Sequence, residues 1–198
     1  MAGRFLETYF TPKVLSAQQH YFGRSQSIPP QPAVDPLSEE ERVFIEARDS
    51  FYMATVSENG WPYVQHRGGR PGFLRVVSPT QLAFADYKGN RQMLSTGNLA
   101  ASDRVALFLM DYPHRERLKI LGHALVVDAR QHLELVAEFA EPEARGLVER
   151  VFLIDVVSFD WNCPKYITPR FTEDQVRAAV EPLQQRVAEL EALVAARE

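Results

Sequence analysis

The dipeptide Asn59-Gly60, set between the strand-like runs FYMATV and WPYVQHR, constrains this chain more than any other feature. Asn-Gly between two such runs is the strongest short signal for a hairpin, so the flanking runs pair antiparallel. A β-sheet therefore begins near Ser50. FLRVV and QLAFADY, hinged at Ser78-Pro79, read as a second hairpin, and RVALFLMDY and RLKILGHALVVDA as long strands joined through PHRE. RVFLIDVVSFDW follows a helical stretch from about Gln131 to Val148 and adds one more strand. Few crossover helices separate these strands, so the sheet is mostly antiparallel, and curling it into a closed or partly closed barrel removes exposed edges.

Helices flank this sheet. Thr11 to Gly23 reads as a short helix ended by glycine, and SIPPQPAVDPL after it holds too many prolines for regular structure. Ser38 followed by Glu39, Glu40 and Glu41 is a capping box with an acidic first turn, predicting a helix to about Arg48. In FADYKGNRQMLSTGNL the strand breaks at Gly89 and a helix is expected from Asn90 to Ala100, with Asn90, Arg91 and Gln92 in its first turn. An arginine there adds to an already positive helix end and marks a place for an anion. From Thr172 the tail is helical, and Val176, Val180, Leu183, Val187, Leu190 and Val194 recur at alternating spacings of four and three, the seam of a coiled coil. Pro182 interrupts the pattern and is expected to kink or restart the helix. Such a face either lies on the chain's own barrel or pairs with a partner chain. The expected division is an arm and linker over 1–37, a barrel domain over 38–171 and a C-terminal helix over 172–198.

The 198 residues are 45% hydrophobic, enough for one sizeable core. A formal charge of -4 leaves no basic stripe for nucleic acid. No apolar run approaches a membrane-spanning length and the N-terminus lacks a signal pattern, so a cytoplasmic location is expected. The one cysteine, Cys163, reads as a packing residue and agrees with a reducing compartment. Dinucleotide and phosphate-loop motifs are missing, and Ser95 and Ser102 have no nucleophile-elbow context. The five histidines, His20, His66, His114, His123 and His132, lack zinc spacing, so no metal site is expected. What remains is polar residues at strand ends: Gln65, His66 and Arg67 before GGRPG, the Asn90-Arg91-Gln92 run, and Arg117 with Lys119 on one strand face. Guanidinium forks and helix N–H groups together suit a phosphate.

LAFADYKGNRQMLSTGNLAASDRVALFLMDY, followed by ERLKILGHALVV, resembles the middle of the pyridoxamine 5'-phosphate oxidase-like family, the flavin mononucleotide (FMN)-binding split β-barrels. The likeness runs from about Phe44 to Arg170, and FDWNCPKYITPRF is similar to the C-terminal signature of an uncharacterised branch. It implies a mainly β (α+β) fold, a split β-barrel of about six antiparallel strands with flanking helices and a C-terminal helix. It also implies FMN as cofactor, held at a homodimer interface. By this resemblance Gln65, His66 and Arg67 contact the flavin phosphate and ring. Asn90, Arg91 and Gln92 stand for the family's phosphate-binding Ser/Asn-Arg-Lys element, with Gln92 replacing the usual lysine. Ala85 and Asp86 fall where members line the flavin with backbone and a hydroxyl residue. Arg117, with Lys119 on its face, matches a polar residue reaching the cofactor across the dimer. Trp161, Asn162 and Arg170 fall where the C-terminal segment closes over the isoalloxazine.

The activity implied is that of an FMN-dependent oxidoreductase acting on a small redox substrate such as a nicotinamide cofactor or a quinone. The flavin carries the electrons, and a cation such as Arg67 or Arg117 near its N1 and O2 edge stabilises the anionic reduced form. His66 is the one candidate for proton transfer. Pyridoxamine phosphate oxidation itself is not expected, because NCPKYITPR lacks the Arg-His pair that the enzyme uses for its substrate phosphate. The alternative is a non-catalytic flavin, haem or deazaflavin binding protein on the same scaffold.

Overall fold

The computed structural model describes residues 3–161 and 165–196. The hairpin demanded by Asn59-Gly60 forms from β1 (Ser50–Val56) and β2 (Pro62–Gly68), with Ser50 opposite Gly68 and Val56 opposite Pro62. Gly60 turns the chain at φ 87°, a conformation that costs glycine little. β3 (Arg75–Ser78) and β4 (Gln81–Tyr87) form the second hairpin. β5 (Arg104–Asp111), β6 (Glu116–Asp128) and β7 (Val148–Trp161) complete a seven-stranded sheet in the order β2-β1-β5-β6-β7-β4-β3.

That order places β2 at one end and β4 next to the other, yet side chains from the two ends touch. Phe51 of β1 meets Phe84 of β4 edge-on at 5.4 Å, and Arg67 of β2 is ion-paired with Asp86 of β4. The sheet therefore curls until its ends meet through side chains, with no backbone ladder between β2 and β4, which makes it a split β-barrel. One core fills it. Met53, Leu82, Phe84, Leu107, Ile120, Phe152 and Ile154 are all essentially inaccessible to solvent. Phe84 and Phe152, neighbours across β4 and β7, stack at 4.8 Å, worth about 0.5–1.5 kcal/mol beyond their area burial.

The helices hold more surprises than the strands. α1 (Gly3–Tyr9), which periodicity did not mark, buries Phe5. α2 (Pro12–Phe22) is capped by Thr11 and stopped by left-handed Gly23, as the sequence requires. α3 (Glu39–Glu46) starts with the full capping box of Ser38 and Glu41 but ends at Glu46, short of Arg48. α4 runs Leu94–Ala101, not from Asn90. The expected helix over Gln131 to Val148 is two pieces, α5 (Leu133–Phe139) and a 3₁₀ turn at Pro142–Leu147, because Pro142 cannot continue the first. α5 covers the outer side of β4 and β7, where Ala83 and Ala85 are small enough for Val136 and Phe139 to settle. α6 (Glu173–Ala195) is one helix that carries Pro182 in its interior.

Two compact units make up the described chain. One holds residues up to 110 together with 117 to the end of β7; the other holds 111–116 and the described residues from 165 onward. Among the described residues no helix is long and apolar enough to cross a membrane.

The β6–β7 ladder shifts register between Leu121 and Gly122, and a Cβ built on Gly122 would lie 2.7 Å from the Asp155 carbonyl oxygen. Backbone cannot yield there as a side chain does. Gly122→Ala is expected to cost about 1–3 kcal/mol by forced displacement, read as a lowered Tm; an unchanged Tm would show that the ladder relaxes without cost.

Candidate functional site

Asp86 organises the candidate site. Its carboxylate, near the end of β4, accepts from Arg67 of β2 and from Arg150 of β7, whose Nε lies 2.8 Å from Oδ2. Asp86 and Arg150 are cross-strand partners, so the ladder itself presents them to each other. The three side chains are between 10% and 14% exposed, so little water screens them. Arg67 lies over the rings of Phe152 and Phe84, at 5.1 and 5.7 Å from their centroids, and its buried Nε has no hydrogen-bond partner among the described residues. Glu149 takes a second contact from Arg150 at 3.1 Å and lies 3.6 Å from Arg91. Three guanidiniums thus face two carboxylates, leaving one net positive charge.

Arg67, Asp86, Arg91 and Arg150 line a cavity of about 190 Å³ whose other wall is the 89–96 segment, and Glu149 stands outside it, in the adjoining cleft. Arg91 is not in the first turn of a helix, which corrects the expectation. Arg91 and Met93 take φ 59° and 57°, left-handed values that an α-helix cannot contain, and Asn90 Oδ1 accepts from the Gln92 N–H at 3.1 Å in an Asx turn. The Asn side chain competes with helical bonding and wins. The helix instead starts at Leu94, and Met93 at its N-cap provides no side-chain hydrogen bond. Leu94, Ser95 and Thr96 of this first turn line the cavity beside Arg91. An uncapped helix start therefore shares the cavity with three arginines. Ser95 is fixed from the opposite wall, donating to Gln65 Oε1 at 2.8 Å, and Asn98 donates to Thr55 at 2.9 Å, which anchors α4 on β1.

The structure brings together Gln65, Arg67, Asp86, Asn90, Arg91 and Gln92. Alternation along β2 sends Tyr63, Gln65 and Arg67 to the cavity and His66 to the other face, where its ring meets Tyr52 at 5.6 Å. Ala85 faces α5. Arg117 lies over the Phe108 ring at 5.1 Å with a buried, unpartnered Nε, and Lys119 pairs with Asp160 at 2.6 Å, both away from the cavity. Trp161 packs edge-on against Phe44 at 4.7 Å and donates from Nε1 to Glu41. Arg170, in the second unit, lies over Tyr112 at 4.9 Å. Asn162 and Cys163 lie outside the described residues. The residue missed by sequence reasoning is Arg150, and the signal was present: a lone arginine opening an apolar strand. A larger cleft of about 870 Å³, walled by Leu99, Ala100, Ala124 and Val126, adjoins the first and shares Arg150, Met93 and Thr96 with it.

Residues 37–155 match the family model described as pyridoxamine 5'-phosphate oxidase. Curated protein sequences give no match. Among solved structures, HupZ of Group A Streptococcus is similar with a TM-score of 0.52 at 13% identity, over 68% of this chain and 99% of that one. A protein of Clostridium acetobutylicum related to general stress protein 26 has a TM-score of 0.46 at 13% identity, covering 69% and 94%. A pyridoxamine 5'-phosphate oxidase-related, FMN binding protein of Nostoc punctiforme has 0.42 at 16% identity, covering 61% and 76%. At 13% identity the likeness to HupZ is one of fold alone.

Two outcomes follow from this geometry. Asp86→Asn leaves two largely buried guanidiniums short of countercharge and is expected to lower stability by about 3 kcal/mol, measured by the denaturant midpoint; no loss would show that solvent already screens the pairs. Glu41, which receives Trp161, is buried, and burial opposes its ionisation; hydrogen bonds from the Ser38 side chain, Trp161 and backbone N–H groups outweigh this and lower its pKa. A depressed carboxyl pKa contributes stability present above the ordinary value of 4.5 and lost as pH falls through the folded value. Wild type is therefore expected to lose stability below about pH 4.5 more steeply than Glu41→Gln, in denaturation followed across pH. Equal slopes would remove Glu41 from the acid response.

Proposed function

We propose that this chain, which belongs to the pyridoxamine 5'-phosphate oxidase family through residues 37–155, is an FMN-binding flavoprotein that works as a homodimeric oxidoreductase on a small redox substrate. The observation that carries this reading is the uncapped start of α4 sharing one cavity with Arg67, Arg91 and Arg150. Orphan N–H groups and guanidinium forks are the donor set for a phosphate dianion. The unpartnered Arg67 Nε is a further buried donor in the same cluster.

The fit is to one end of the cofactor. Complete small-molecule pockets span about 300–1,000 Å³, so a cavity of about 190 Å³ takes the phosphate end and leaves the ring outside it. Arg91 is 60% exposed and, among the described residues, is held by a long 3.6 Å contact to Glu149, so it is the arginine able to turn toward an arriving anion. Arg67 and Arg150 are held in place beforehand by Asp86. Gln92 lines the wall without the charge of a lysine, which leaves Arg91 as the mobile cation of the loop. When bound, the flavin supplies electron transfer at its ring. Arg117, with its buried unpartnered Nε, is the residue of this chain we assign to the cofactor of the second copy.

Haem is the weaker reading. An axial histidine is its commonest anchor, and among the described residues no histidine lines either the small cavity or the larger cleft. A deazaflavin shares the phosphate chemistry, and its absorption differs from that of FMN.

Protein purified from cells is expected to show the oxidised-flavin spectrum and to release FMN on denaturation. Arg91→Ala is expected to weaken FMN binding about 10- to 100-fold, the equivalent of one charge-assisted contact, in titration of the apoprotein. A colourless protein that takes up no added FMN, or a Soret band in its place, overturns the reading.

A further inference from the structure

We infer that α6 pairs with α6 of a second copy of this chain as a parallel, in-register, two-stranded coiled coil. The seam residues Val176, Val180, Leu183, Val187, Leu190 and Val194 are between 39% and 66% exposed, and no residue of α6 is buried. Six large apolar side chains on one stripe of a 23-residue helix are not what a solvated helix carries. The order of residue types along the stripe names the occupant. Taking Leu183 and Leu190 as d positions puts Val180, Val187 and Val194 at a and Val176 at the first d. From Val180 onward β-branched residues at a alternate with leucine at d, the combination that favours two strands, and a parallel in-register pair sets a against a and d against d.

The charges flanking the stripe agree. In this register Arg186 is at g and Glu191 at the following e, five residues on, the spacing at which g of one helix faces e of its parallel partner. Symmetry makes the pair twice. Arg186 now contacts Glu189 within its own helix at 2.8 Å, both side chains more than 60% exposed, and such a surface pair is worth little, so re-aiming costs little. Pro182 falls at c, on the outer side, where its ring does not enter the seam. The helix passes through it unbroken from the Thr172–Gln175 capping box to Ala195. Fewer than three heptads are marginal alone, so the pairing rests on the two-copy reading above, in which the barrels hold the tails at high effective concentration. It does not depend on the identity of the cofactor.

Disulfide trapping in the full chain tests this. In a Cys163→Ser background, single cysteines are placed at d (Leu190→Cys), at a (Val187→Cys) and, as control, at the outward f position (Gln185→Cys), and dimers formed under mild oxidation are read on non-reducing gels. The seam positions are expected to cross-link on the order of tenfold faster than Gln185→Cys. Arg186→Glu is expected to slow trapping at Leu190→Cys, and Arg186→Glu with Glu191→Arg to restore it. Two seam variants guard against one that fails to fold. Equal rates at seam and control positions in a chain that sediments as a dimer overturn the tail inference alone. Failure to sediment as a dimer overturns the two-copy reading with it. Preferential cross-linking of Leu183→Cys chains to Val187→Cys chains, over like with like, means an antiparallel pair and overturns the inference. Flavin content, read separately by absorbance, bears only on the cofactor.

Discussion

The contact on which the rest of the structure depends is the bridge from Arg67 through Asp86 to Arg150. An antiparallel sheet of seven strands has two ends, and backbone hydrogen bonds do not join them here. A carboxylate on β4 reaching a guanidinium on β2 does the joining, with the stacked Phe84 and Phe152 beneath it. Paired charges at this depth are stabilising only when geometry and hydrogen bonding offset the loss of water. Asp86 meets that condition by serving two arginines from two directions. The same bridge that closes the barrel also sets the charge of the cavity, so architecture and anion recognition share one set of atoms.

That sharing explains how the site can be positive without being strongly so. Asp86 and Glu149 cancel two of the three guanidinium charges, and the remaining one lies with Arg91, on a loop. The buried part of the site is neutralised by the fold, and the exposed Arg91 carries the surplus. The left-handed residues Arg91 and Met93 hold that loop short of the helix, so α4 begins with bare N–H groups where a continuous helix from Asn90 would have buried them in its own bonds.

Much of the architecture was legible in the sequence because it depends on local chemistry. Asn59-Gly60, the Ser38–Glu41 box, Thr11 and Gly23 each specify backbone within a few residues, and the structure follows them. The Asn90–Met93 stretch was misread for a physical reason: helix propensity sees Arg, Gln and Met as good helix formers, while the Asx turn and two positive φ values decide the conformation. His66 was grouped with its neighbours by position, and strand alternation separates it from them. Arg150 marks itself in the sequence only as an arginine at the head of an apolar run; its role comes from register with Asp86, 64 residues away in the chain. The resemblance places Trp161 in the segment that closes over the ring; in this chain it meets Phe44 edge-on and donates to Glu41.

A barrel joined by side chains keeps two unpaired strand edges, and they are not equal. β3 is four residues long and breaks register between Val76 and Ser78, so it presents almost no template to an incoming chain. β2 is seven residues long, pairs only with β1 among the described residues, and carries Val64, 60% exposed, just after Trp61, 73% exposed. Pro62 removes one donor at its first position, and the rest of that edge remains able to hydrogen-bond. Of the two edges, β2 is therefore the one that offers an incoming strand a template, and the short, irregular β3 is not.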